Sequence, residues 1–225
     1  MEQQSERFTI FPFLLAFDVS YSMAGGPVEA LEECLPALRQ LIIDDPTVGE
    51  IARIGMGTFS DDWRTLVPIS DLAAVDIPKL AVEGGTDFGA ALRGIKNALE
   101  EGLASLPKGT PVYRPVVFFM SDGGHDPNLP DFDADLRALR AWKYAPEIVT
   151  FGFGDDVDET ALGRLANRFA FVAKNKNPVS AVHEIRRAIV GSILVTSQSA
   201  LDPTKQEGLH IQTGDGFTPL PVFEL

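Results

Sequence analysis

The chain has 225 residues, 45% of them hydrophobic, with 19 Lys and Arg against 32 Asp and Glu for a net charge of −13. That length suits one domain with or without a tail, and the apolar share is enough for a full core. The acidic balance repels phosphate backbones, which argues against a nucleic-acid partner and suits cations and basic protein surfaces.

The start, MEQQSERFTI, has no basic region leading into an apolar one, and the longest apolar run, residues 11–17, is too short to span a bilayer. A cytoplasmic protein with no membrane partner is expected. Residues 8–19 read as a strand that ends abruptly in DVSYS. GGPVEALEECLPALRQLI follows with Val28, Leu31, Leu35, Leu38 and Ile42 at helical spacing. Pro27 suits a first turn, and Pro36 predicts a kink or a local irregularity. The single cysteine, Cys34, lies in this stretch and reads as a small buried apolar residue. IARIGMGTF at 51–59 is a strand, SDDWR turns the chain, and TLVPI at 65–69 returns as an antiparallel partner.

Helix is next expected over 87–103, a buried strand over 115–120 ending in Ser-Asp-Gly-Gly, and helix over 133–143. A strand at 147–153, a helix at 158–166, a short strand at 169–173 and a long helix at 177–195 complete the pattern. Strands that are apolar throughout and alternate with helices predict an α/β fold, a doubly wound, mostly parallel sheet covered on both faces. Residues 1–7 read as an extension, 8–197 as the domain and 198–225 as a tail whose PLPVFEL end is apolar enough to dock.

Ligands of an open parallel sheet sit beyond the carboxyl ends of its strands. There the chain delivers Asp18, Ser20 and Ser22, then Gly84, Gly85, Thr86 and Asp87, then Ser121 and Asp122. Two carboxylates and several hydroxyls, with no imidazole or thiolate, select a hard divalent cation. Without one, Asp18 and Asp122 would repel each other. Mg²⁺ is the first choice, with Mn²⁺ and Ca²⁺ as alternatives.

DVSYS at 18–22, Thr86 in GGTDFGAAL and Asp122 in FFMSDGGHD, in this order, resemble the metal-ion-dependent adhesion site of the von Willebrand factor A family. The resemblance covers about residues 8–195. It implies a six-stranded sheet with one antiparallel edge strand, and protein binding rather than catalysis. It also implies that Ser20 and Ser22 ligate the ion directly, that Thr86 binds it directly or through water according to whether the site is open or closed, and that Asp18 and Asp122 act directly or through water while holding the hydroxyls in place. MAGGPVEALEECLPAL is similar to the bacterial tellurite-resistance-associated subgroup, which implies a stress-response assembly. The partner would be a protein supplying a carboxylate to the metal. The default oligomeric state is the monomer, with Asp215 or Glu224 as candidate occupants of a neighbour's site.

Three residues are rim candidates. Tyr21 stands where the motif often has Gly; it is either a partner contact or a cover over the loop. Asp87 is a rim residue or a helix cap, and His125 a pH-sensitive contact or a solvated loop residue. Asp61, Asp62, Asp155 and Asp156 read as solvated loop charges. Two other functions compete. A Mg²⁺-dependent phosphohydrolase would use Asp18 as nucleophile, but position 20 is Ser where a second Asp would serve, and no lysine adjoins the Thr86 or Asp122 loops. A structural subunit would use the metal only as a staple. GMG at 55–57 and GFG at 152–154 lack the spacing of a dinucleotide loop.

Overall fold

The structure, a computed structural model, describes residues 8–72, 75–76, 79–202, 204 and 208–223; the extension at 1–7 and Glu224 lie outside them. A single sheet runs in the order β3-β2-β1-β4-β5-β6-β7. Its strands are β1 (Phe11–Asp18), β2 (Ala52–Phe59), β3 (Trp63–Ser70), β4 (Val116–Ser121), β5 (Glu147–Gly152), β6 (Phe169–Ala173) and β7 (Phe217–Pro219). The β1, β2, β4, β5 and β6 strands are parallel; β3 and β7 are antiparallel edges. The sheet therefore has seven strands rather than the six implied by the resemblance. The seventh comes from the segment read as a tail. Its three residues, set among Gly and Pro, are too few to show a strand period.

The helices are α1 (Gly26–Glu32), α2 (Cys34–Asp44), α3 (Pro46–Ile51), α4 (Phe88–Ser105), α5 (Asp133–Arg140), α6 (Glu159–Leu165) and α7 (Pro178–Leu201). The expected first helix is two, broken at Glu33. Pro36 explains the break: its ring collides with the carbonyl four residues back and it offers no N–H, so the chain restarts with Pro36 in a first turn. The short α3 was not expected at all.

Both faces of the sheet are dry, which is why β1 shows no alternation. Phe11, Phe13, Leu15 and Phe17 pack with the α1, α2 and α7 side. Leu14 and Ala16 pack with the α4, α5 and α6 side. Cys34 is buried in the first of these cores, and burial pushes its thiol up to about 12, so it is an inert packing residue. Among the described residues no helix is long and apolar enough to cross a membrane.

The segment after α7 returns across the molecule. Ser192 and Thr196, both fully buried and one turn apart, accept the backbone N–H groups of Gln212 and His210 at 2.9 and 3.0 Å. Leu209 and Phe217 are buried, and Phe217 stacks edge-on against Phe151 and Phe171.

Candidate metal centre

The strand order places β2 on one side of β1 and β4 on the other, so the chain's crossovers diverge at the C-terminal ends of β1 and β4. Register sets what meets there. Phe17 is level with Met120, so Asp18 and Ser121 are the next residues on each strand. Asp18 is fully buried. One carboxylate oxygen accepts the Ser20 N–H at 2.9 Å and the other accepts the Ser121 hydroxyl at 2.6 Å.

From Asp18 the chain tightens into a 3-10 turn over Tyr21–Met23, closed by the Met23 N–H on the Ser20 carbonyl. This turn sets the Ser20 and Ser22 hydroxyls 3.1 Å apart, and Ser22 donates to Asp122 at 2.8 Å. Because Ser22 gives its proton to Asp122, Ser20 must be the donor between the two serines. A continuous hydrogen-bonded chain therefore runs Ser121–Asp18–Ser20–Ser22–Asp122.

The Thr86 loop is fastened from three sides. The Glu83 N–H reaches the Val19 carbonyl at 2.9 Å and the Tyr21 N–H reaches the Gly84 carbonyl at 3.3 Å. The Thr86 carbonyl accepts from the Asp126 N–H at 3.0 Å, tying it to the loop after β4. Gly84 has φ +70°, a conformation open to glycine at no cost, and this lets the loop fold back. Thr86 itself is half-buried.

Among the described residues no cation is among the groups that shift the two carboxylates. Burial raises Asp18 to about 6; bonds from Ser121 and Ser20 oppose the rise and the Asp122 charge adds to it. Asp122 is also raised, by burial first, with Ser22 opposing and Asp156 adding repulsion. Two carboxylates held together, each repelled by a further carboxylate, is the field a divalent cation neutralises. The hydroxyls fit the same test, since a hydroxyl that donates its proton to a carboxylate keeps a lone pair for an ion. Among the described residues no three His, Cys, Asp or Glu side chains converge on one point; the donors here are two carboxylates plus hydroxyls.

The rim residues divide. Tyr21 is 71% exposed, so it does not cover the loop. Asp87 is a helix cap: its carboxylate accepts the Ala90 N–H at 3.0 Å and lies 3.7 Å from Arg93. One of its oxygens is thereby held by the first turn of α4. His125 is held within the loop after β4. Its Nδ1 accepts the Phe88 N–H at 3.1 Å and its Nε2 donates to the Pro130 carbonyl at 2.9 Å, with the ring set against Phe88 and Phe132. With both ring nitrogens engaged, it is a loop anchor rather than a solvated residue. Asp61, expected in solvent, accepts the Gly85 N–H at 2.8 Å. Ser121 entered the sequence reading only as a polar neighbour, although its position beside Asp18 follows from strand register.

The family model for the von Willebrand factor type A domain matches residues 14–188. The chain belongs to this family. No curated protein matches the chain's sequence. Solved members share the fold. A von Willebrand factor type A protein from Catenulispora acidiphila aligns with TM-score 0.63 at 15% identity, over 83% of this chain and 43% of its own. Proximal thread matrix protein 1 from the mussel byssus aligns with TM-score 0.59 at 18% identity, over 84% and 49%. The same mussel protein with a zinc-occupied MIDAS motif aligns with TM-score 0.56 at 15% identity, over 79% and 48%. The chain thus spans less than half the length of each of these solved chains.

Proposed function

We propose that this domain is a metal-dependent protein-binding module. Asp18, Ser20, Ser22, Thr86 and Asp122 hold a divalent cation, and a partner's carboxylate completes its coordination. The observation that carries this reading is the hydrogen-bonded chain from Ser121 to Asp122, which gathers two carboxylates with no cation among the groups that shift them. Family membership adds to it, as members of this family often mediate metal-dependent protein interactions. Mg²⁺ is the favoured ion, because an all-oxygen set that leaves a position open suits it. Zn²⁺ belongs in the same trial, since the mussel protein holds it.

The domain is not an enzyme in this reading. Asp18 is fully buried and each of its oxygens is already bonded within the site, so the carboxylate is not presented to a substrate phosphate. The narrower placement, a cytoplasmic monomer in a bacterial tellurite-resistance-like assembly, rests on the MAGGPVEALEECLPAL resemblance alone. Growth of a deletion strain under tellurite tests it.

Calorimetric titration with Mg²⁺, Mn²⁺ and Zn²⁺ tests the site. Wild type is expected to bind one ion saturably, and Asp18→Ala with Ser20→Ala to lose it. A flat titration of folded wild-type protein sinks the reading.

A further inference from the structure

The far side of the Tyr21 turn opens onto a cavity of about 580 Å³ between the ends of β2 and β3 and the Glu83–Gly84 segment. That size is within the range of small-ligand sites. Thr58 and Ser60 line it, two residues apart and so turned to the same side of the chain. They are 6% and 5% exposed, and neither hydroxyl has a hydrogen-bond partner among the described residues. Neither is among the buried polar atoms cut off from solvent, so both hydroxyls keep their contact with the cavity and are free to bond whatever enters it.

The rest of the lining says what enters. Asp61, Asp62 and Glu83 stand against one cation, Arg64, which already pairs with Glu83 at 3.0 Å. Tyr21, exposed beside the opening, offers an aromatic face. Acceptor oxygens, excess negative charge and an aromatic wall together favour a cation over an anion or an apolar group. Tyr21 lies between Ser20 and Ser22, so the cavity begins one residue from the proposed metal centre. Consecutive Cα atoms are ~3.8 Å apart, so one short peptide reaches both.

We infer that this cavity binds a basic side chain of the partner, a guanidinium or ammonium placed within about two residues of the metal-binding carboxylate. The inference rests on the metal-dependent reading above, and it narrows the partner to a segment pairing an acidic with a basic residue. Thr58 and Ser60 accept the N–H groups, and Glu83 is shared between Arg64 and the incoming cation.

The test uses the full chain and two peptides, acetyl-Asp-Ala-Arg-amide and its norleucine counterpart, in saturating Mg²⁺. Fluorescence or calorimetry is expected to show the arginine peptide binding about tenfold or more tightly. Glu83→Gln, and Thr58→Val with Ser60→Ala, should remove that preference while leaving the Mg²⁺ titration unchanged. Equal binding of the two peptides, or binding of neither to the metal-loaded protein, overturns the inference and leaves the metal site standing. If no metal binds, acetyl-arginine-amide is titrated in chelator. Saturable perturbation of the Tyr21 and Thr58 resonances then supports the cavity by itself, and its absence overturns it.

Discussion

Two regions of the described sheet, the β6–β7 edge and the C-terminal ends of the central strands, treat polar groups in opposite ways. At the far edge, the segment after α7 pairs its backbone with the strand and helix ends that it covers. Lys174 donates its N–H to the Gly216 carbonyl at 2.8 Å, Leu220 donates to Ala170 at 2.8 Å, and Phe223 donates to Gly163 at 3.1 Å. The fit is tight: a Cβ on Gly163 would lie 2.3 Å from the Pro221 carbonyl oxygen. At the C-terminal ends of the central strands β1 and β4, carboxylates are brought together and left repelling one another. The contrast separates two uses of the same sheet. Satisfied polar groups and apolar burial hold the fold, whereas concentrated like charge is stability given up where a cation can be held.

Changes in the two regions should therefore read out differently. The largest effect is expected from Phe217→Ala, which empties a buried aromatic site against Phe151 and Phe171. A loss of about 3–5 kcal/mol in denaturant unfolding is expected, with metal affinity unchanged in the protein that remains folded. A change in affinity would mean that the two regions are coupled.

Asp18→Asn should do the reverse in chelator. The folded state holds the Asp18 proton up to about 6, against 3.8 ordinarily, so it binds more protons than the unfolded chain between those values. Wild-type stability therefore falls as pH rises through that window, by up to about 3 kcal/mol, and stays low above it. The asparagine variant should lack this component, so the difference between the two unfolding curves should grow from pH 4 to pH 7. A difference that is flat with pH would show that Asp18 is not raised. Ser121→Ala comes next. It strips the 2.6 Å bond from Asp18, which should cost about 1–3 kcal/mol and weaken metal binding about tenfold by calorimetry.

The sequence carried most of one region and little of the other. The strand runs at 11–18 and 116–121 are apolar on both faces, so their extents and their polar endings could be read directly. The hairpin of β2 and β3 followed from two apolar runs around SDDWR. Ser121 was visible only as a neighbour, because its role depends on the β1–β4 register and no local pattern encodes a register between strands a hundred residues apart. β7 was hidden because its three residues pair through backbone and are set among Gly and Pro, too few to show a strand period. A better signal lay in α7, where Ser192, Thr196, Ser197 and Ser199 are buried beside apolar residues. Such a run of buried hydroxyls late in a helix points to a covering segment that can use them, as Gln212 and His210 use Ser192 and Thr196. His125 and Asp61 look like ordinary loop residues, since hydrogen bonds to the backbone of a distant segment leave no trace in composition.

Asp61 gives the smallest and most selective test. Its carboxylate is exposed and touches the site only through the Gly85 N–H, one residue before Thr86. Global stability should hardly respond to Asp61→Ala, because no buried surface is lost. The Gly84–Thr86 loop would still be held by Tyr21, Glu83 and Asp126, but with one restraint fewer. If Thr86 ligates the ion, metal affinity should fall a few-fold with an unchanged melting temperature, as expected when a group orienting a ligand is removed. If affinity is unchanged, Thr86 is held well enough by the backbone bonds or takes no part. Adding Thr86→Val to the Asp61→Ala background decides between these: a further loss means that the hydroxyl binds metal, and no loss means that the ion is held by the Asp18 to Asp122 chain alone.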